Sequence, residues 1–110
     1  MDAAEEAIFL LTAEMDPPTD EHDFNAWYDQ EHVPMVAKMA GYVRCRRYIV
    51  ATDECVVGEH IPKYLTIHEV NDLNGFAGPE ARASGSTEWT RKNMSQMKSF
   101  HMRGWKSTRA

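Results

Sequence analysis

His32 is the residue in this chain best suited to moving a proton. Imidazole has the unperturbed side-chain pKa nearest neutral pH, so it accepts or donates with little tuning. It lies in the run Phe24-Asn25-Ala26-Trp27-Tyr28-Asp29-Gln30-Glu31-His32-Val33-Pro34. At four-residue helical spacing Phe24, Tyr28 and His32 share one face, with Trp27 and Glu31 beside them. A surface helix does not need large aromatics next to a histidine. A helix that roofs a small-molecule pocket has a use for all of them. Tyr28, one turn before His32, can offer its phenol to a carbonyl or enolate oxygen. Each has a structural alternative. A helix-end histidine can bond a carbonyl freed by Pro34, and Tyr28 can be core packing with its hydroxyl in solvent. Glu31 lies about 100° round the helix and reads as a solvated carboxylate.

Other residues qualify by type. Strand 3 alternates Tyr64, Thr66 and His68 against Leu65, Ile67 and Glu69. If His68 points to the helices it approaches His32 and completes an acid–base pair. If it points the other way it is a buried or rim histidine with a structural hydrogen bond, the reading favoured from sequence. Strand 2 alternates Arg44, Arg46 and Tyr48 against Cys45, Arg47 and Ile49. One arginine, Arg47 the candidate, can hold an oxyanion in its planar fork, leaving the others solvated or paired. Phe24, Trp27, Arg47, His68 and Trp89 are thus the candidate substrate contacts, although Trp27 and Trp89 equally suit core or dimer packing. His101 and Arg103 share a face of the last strand, Trp105 suits a dimer edge, and His22 and His60 read as surface residues. Met35, Met39, Met94 and Met97 can line an apolar pocket or fill a core.

Composition excludes several classes. The 110 residues suit one domain, 1–110, and the net charge of −5 leaves no broad basic face for nucleic acid. No apolar run approaches a membrane span, and the acidic Met1-Asp2-Ala3-Ala4-Glu5-Glu6 is unlike a secretory signal. A cytoplasmic protein is expected. Cys45 and Cys55 fit neither a zinc pattern nor a disulfide framework, and no His-Glu-x-x-His is present, so no metal is expected. The glycines between Gly75 and Gly85 make no phosphate loop.

The elements that must position these residues follow the order β-α-β-β-α-β. A strand is predicted over Ala7–Ala13. A helix capped by Thr19 or Asp20 runs to about Met39, with Gly41 as its stop. Pro34 interrupts it, leaving the Gln30 carbonyl without a donor and pushing Val33 away from helical angles. A strand over Tyr42–Ala51, a loop over Thr52–Pro62 and a strand over Lys63–Val70 follow. An irregular helix over Phe76–Ser84, a firmer one over Thr87–Met97 capped by Ser86, and a strand over Ser99–Lys106 complete the chain. This is the split βαβ, ferredoxin-like motif: an α+β fold with a four-stranded antiparallel sheet and helices on one face. Strand 1 is apolar on both sides, with Ile8 and Leu10 facing one way and Phe9 and Leu11 the other. A second copy packed sheet to sheet is the economical cover for the bare face, giving a homodimer. The competing view is a central strand in a monomer.

In this order the chain resembles the EthD-like members of the dimeric α/β-barrel superfamily. The resemblance rests on Phe24 to Pro34, then Gly41-Tyr42, Arg47-Tyr48, Tyr64-Leu65-Thr66-Ile67-His68-Glu69, and Thr87-Glu88-Trp89 leading to the Arg103 strand. It implies the ferredoxin-like fold, a face-to-face dimer, and a pocket between each sheet and its own helices. It also implies that the histidine of the Glu-His-x-Pro segment, here His32, faces that pocket. Proteins resembling this one cyclise, isomerise, decarboxylate or oxygenate polyketides, aromatic catabolites and lactones without a bound cofactor. The expectation is a cofactor-independent lyase, isomerase or cyclase with His32 and Tyr28 as catalytic residues. A non-catalytic binding protein and a cofactor-free aromatic oxygenase are the alternatives.

Overall fold

The sheet forms because alternate residues of each strand have somewhere apolar to go. The computed structural model describes residues 7–51, 58 and 60–108. Met1–Glu6 and most of the loop expected over Thr52–Pro62, with Cys55, lie outside these residues. Strands β1 (Phe9–Asp16), β2 (Tyr42–Ile49), β3 (Tyr64–Val70) and β4 (Ser99–Lys106) make one antiparallel sheet in the order β2-β3-β1-β4. This is the ferredoxin-like order, with helices on one face only.

The first strand runs three residues further than its apolar run. Glu14 and Asp16 still pair with His101 and Ser99, and the Asp16 N–H donates to Ser99 Oγ at 3.0 Å. Pro17 and Pro18, which have no N–H to give a ladder, end it. Helix α1 (Glu21–Trp27) starts at Asp20, whose carboxylate accepts the Asp23 N–H at 3.0 Å. A π-helical turn over Tyr28–His32 and a short helix α2 (Val33–Val36) continue it. Pro34 does perturb the helix, but by a different route from the break expected. Val33 keeps helical angles (φ −62°, ψ −46°), and its N–H reaches back to the Tyr28 carbonyl five residues earlier. Widening one turn relieves the Pro34 ring's crowding of the Gln30 carbonyl without leaving the helix. Gly41, at φ +80°, ends the segment in a left-handed conformation open to glycine.

After β3 come a 3-10 turn (Leu73–Ala77), helix α3 (Pro79–Ser84) and helix α4 (Glu88–Gln96). Thr87, not Ser86, caps α4: its hydroxyl accepts the Thr90 N–H at 3.0 Å. Helices α1 and α4 are tied through side chains. The Trp27 indole donates to Thr90 Oγ1 at 3.0 Å, and the Trp89 indole donates to the Asp23 carboxylate at 3.2 Å.

Strand parity divides the sheet cleanly. Phe9, Leu11, Ala13 and Met15 of β1 pair with Val70, His68, Thr66 and Tyr64 of β3, and all face the helices. Met15, Tyr64 and Ala13 join Phe24, Trp27 and Tyr28 in one buried cluster, while Val70 joins Val36 and Met39 in another. The opposite face presents Leu10, Thr12, Ile67 and Leu65, with Arg44, Arg46, Tyr48, Arg103 and Trp105 at its sides. No helix is long and apolar enough to cross a membrane among the described residues.

Candidate active site

Between the two buried clusters the helices stand off the sheet and leave a cavity of about 270 Å³. Leu11 and Ala13 of β1, His68 of β3, and Phe100 and Met102 of β4 form its floor. Tyr28, His32 and Val36 form one wall, and Phe76, Ala81, Ser84, Gly85, Thr90 and Met94 form the other. Met94 and Met102 are 40% and 51% exposed, so they mark its mouth. Among the described residues no Asp, Glu, Lys or Arg lines it.

The π turn sets the aim of His32. Its ring stacks on Trp27, five residues earlier, at 4.8 Å between centroids, and meets the edge of Tyr28 at 5.1 Å. Its Nδ1 is buried and has no hydrogen-bond partner among the described residues. That leaves Nε2 as the nitrogen able to meet a ligand. Burial, with smaller contributions from His68 and Arg47, lowers its pKa from 6.5 to about 4. Burial alone takes His68 to about 4 as well. Both imidazoles are therefore neutral at pH 7. Burial also raises the Tyr28 phenol, which stays protonated. An uncharged cavity with neutral proton acceptors and donors suits an uncharged ligand.

His68 points to the helices, against the structural reading favoured from sequence, and shares the cavity with His32. It does carry a structural bond as well: its Nδ1 lies 2.7 Å from the Tyr42 hydroxyl. The remaining expected substrate contacts stand elsewhere. Phe24 is wholly buried between Trp27, Tyr28 and Tyr64. Trp27 lies behind His32 and is bonded to Thr90. Trp89 turns its indole to Asp23. Arg47 lies 4.1 Å over the Tyr28 ring and bonds Asn25 and Asp29 at 2.9 and 3.1 Å. Its charge supports the Tyr28 ring by a cation–π contact and does not line the cavity. Glu31 is not simply solvated, since it accepts the Thr87 hydroxyl at 2.7 Å. Sequence reasoning passed over Phe76, Ala81, Ser84 and Thr90, small or apolar residues with no chemical signature of their own.

A family model for the EthD domain matches residues 16–100. The chain belongs to the EthD family. The match covers the cavity-lining residues from Tyr28 to Phe100 and leaves out Leu11, Ala13 and Met102, and His32 of this EthD chain sits on the roof segment within it. Solved structures agree on the fold. An ethyl tert-butyl ether D (EthD) family protein from Bacillus halodurans aligns with a TM-score of 0.67 at 17% identity, covering 92% of this chain and 99% of that one. A dimeric ferredoxin-like protein from an uncultured marine organism aligns at 0.62 and 13% identity, covering 96% and 91%. SnoaB, a cofactor-independent oxygenase from Streptomyces nogalater, aligns at 0.53 and 15% identity, covering 96% and 93%. No curated protein gives a significant match to this EthD chain. Among its described residues, no group of His, Cys, Asp and Glu side chains is placed to hold a metal.

Proposed function

We propose that this EthD-family protein is a cofactor-independent enzyme that removes a proton from a neutral, oxygenated ring compound, with His32 as base and Tyr28 as hydrogen-bond donor. The observation that carries this reading is His32 itself: a neutral imidazole on the wall of an uncharged, largely apolar cavity. Nε2 takes a proton from a carbon next to a carbonyl, and the electron pair moves onto the oxygen as an enolate. A base with so low a pKa demands an acidic C–H. Carbons flanked by a carbonyl and an aromatic ring, or by two carbonyls, meet that demand. Reprotonation at another carbon makes the protein an isomerase, and attack of the enolate carbon on a second carbonyl makes it a cyclase.

A second fate is favoured by the cofactor-independent oxygenase among the similar structures. The carbanion adds to O₂ and takes up a proton, giving a hydroperoxide. Loss of water then leaves a carbonyl at the same carbon. The substrate supplies the electrons, and O₂ supplies one oxygen to the product and one to water. A binding protein without turnover would use the same cavity. The bare sheet face is proposed to pack on a second copy, as the dimeric description of a structural neighbour supports.

The test is deuterium uptake by 2-tetralone, a neutral ketone with a benzylic α-carbon, in D₂O. The wild-type protein is expected to accelerate exchange and His32→Ala to lose the acceleration while keeping its melting temperature. Equal exchange by the two proteins removes the base. Oxygen consumption with the same probe separates oxygenation from isomerisation.

A further inference from the structure

Tyr42 occupies a position that strand parity denies it. Arg44, Arg46 and Tyr48, its even-numbered neighbours on β2, face away from the helices. Between Tyr42 and Arg44 the register with β3 slips by one residue, so that Tyr42 pairs with Val70 and Arg44 with Glu69. This β-bulge at Val43 swings Tyr42 across to the helix side. There its hydroxyl lies 2.7 Å from His68 Nδ1 and its ring lies against the His68 ring at 5.6 Å.

We infer that Tyr42 is a positioning residue that fixes His68 as the Nε2–H tautomer, making His68 a second donor, beside Tyr28, to the substrate's oxygen while His32 works at the neighbouring carbon. A phenol shielded from much of the solvent favours a protein acceptor for its hydrogen bond. Among the described residues the acceptors at hand are His68 Nδ1 and the Cys45 sulfur, which also contacts the Tyr42 hydroxyl. An imidazole lone pair is far the better acceptor, because thiol sulfur accepts weakly. The 2.7 Å separation fits a strong O–H···N bond. With Nδ1 accepting that hydrogen bond, the ring of a neutral His68 carries its own proton on Nε2, the nitrogen left for the cavity. The Phe76 ring at 5.8 Å and the pairing of β3 with β1 at Leu11 hold the ring in place.

The two cavity histidines then differ in job as well as in place. Among the described residues His32 Nδ1 has no hydrogen-bond partner to fix its proton. His68 has its tautomer dictated by a neighbour. A ketone docks with its oxygen at His68 and its α-carbon toward His32. The second half of this statement rests on the function proposed above, whereas the tautomer does not.

Nitrogen-15 NMR of the whole labelled chain tests the tautomer directly, with His68→Gln used to assign its signals. The wild-type spectrum is expected to show His68 with a bare Nδ1 and a protonated Nε2. Tyr42→Phe is expected to move His68 toward the Nδ1–H form. A protonated Nδ1 in the neutral wild-type ring, or an unchanged tautomer in Tyr42→Phe, overturns the assignment. The first arm needs no variant, so a folding defect in Tyr42→Phe leaves the idea open to refutation. For the docking role, the probes are 1-tetralone and its hydrocarbon, tetralin. Tyr42→Phe is expected to weaken 1-tetralone about threefold to tenfold, the value of one hydrogen bond, and to leave tetralin unchanged. Equal weakening of both probes would mean that Tyr42 only shapes the cavity. Loss of the His32→Ala effect on exchange would sink the base and leave the NMR result standing.

Discussion

His32 and Trp27 stack ring on ring, 4.8 Å apart with their planes 28° from parallel, although five residues separate them. A regular α-helix would point these residues to diverging faces. The π turn over Tyr28–His32 brings them together, and a proline at 34, which would crowd the Gln30 carbonyl in a regular α-helix, favours that turn. Pro34→Ala restores the missing N–H and lets the α-helical ladder run on. The stack should then open, and the His32 ring protons should lose the ring-current shift that Trp27 imposes. Proton NMR of the variant checks this. Unchanged His32 shifts would show that the core, not Pro34, holds the wide turn.

Acid should weaken this fold earlier than carboxylate chemistry alone requires. His32 and His68 each fall from 6.5 to about 4 on folding, so between those values the unfolded chain binds more protons than the folded one. Stability is then complete above about pH 6.5, declines as pH falls toward 4, and levels off below. The full decline corresponds to about 3 kcal/mol per ring. Urea denaturation at pH 7 and pH 5 should show the loss. A His32→Gln, His68→Gln double variant should show much less of it across the same interval. Catalysis by neutral His32 should likewise lack any decline near pH 6.5 while the protein stays folded.

Thr90 is the hidden junction beneath the site. Its hydroxyl accepts from the Trp27 indole at 3.0 Å and donates to the Ser84 carbonyl at 2.7 Å. Thr90→Val keeps the shape and strips both bonds, leaving the indole N–H buried without an acceptor. The expected cost is about 1–3 kcal/mol, read from the urea midpoint. A variant as stable as the wild type would show that Trp27 finds another acceptor.

The uncovered sheet face makes a separate prediction. Leu10, Ile67 and Leu65 lie there uncovered by helices, and Tyr48 and Trp105 are 46% and 45% exposed. If a second copy covers it, the protein should sediment at twice the chain mass at micromolar concentration. Ile67→Lys should return it to the mass of one chain, because a buried lysine without a partner is costly. A monomeric wild type would refute the dimer.

Much of the architecture was visible in linear order. Alternation in Tyr64 to Val70 gave β3 and its two faces, and Asp20 and Gly41 marked the limits of the roof segment. The site was visible only in part. Imidazole and phenol at four-residue spacing singled out His32 and Tyr28, which the fold places on the cavity wall, since type and spacing are local properties. Arg47, Phe24 and Trp89 have the same chemical promise on paper, yet Arg47 braces Tyr28, Phe24 fills the core and Trp89 binds Asp23. Ala81 and Ser84 line the cavity because α3 crosses that place, which no property of alanine or serine announces.

The sequence by itself determined the order of strands and helices, the perturbation at Pro34 and the candidacy of His32, because each follows from neighbours within a turn or a strand. Only the tertiary structure decided that His68 faces His32's cavity and that Tyr42 crosses to meet it. Those facts depend on which side of the sheet the helices cover and on one slipped residue at Val43. A period-2 pattern is the same for either face, so the answer had to come from packing.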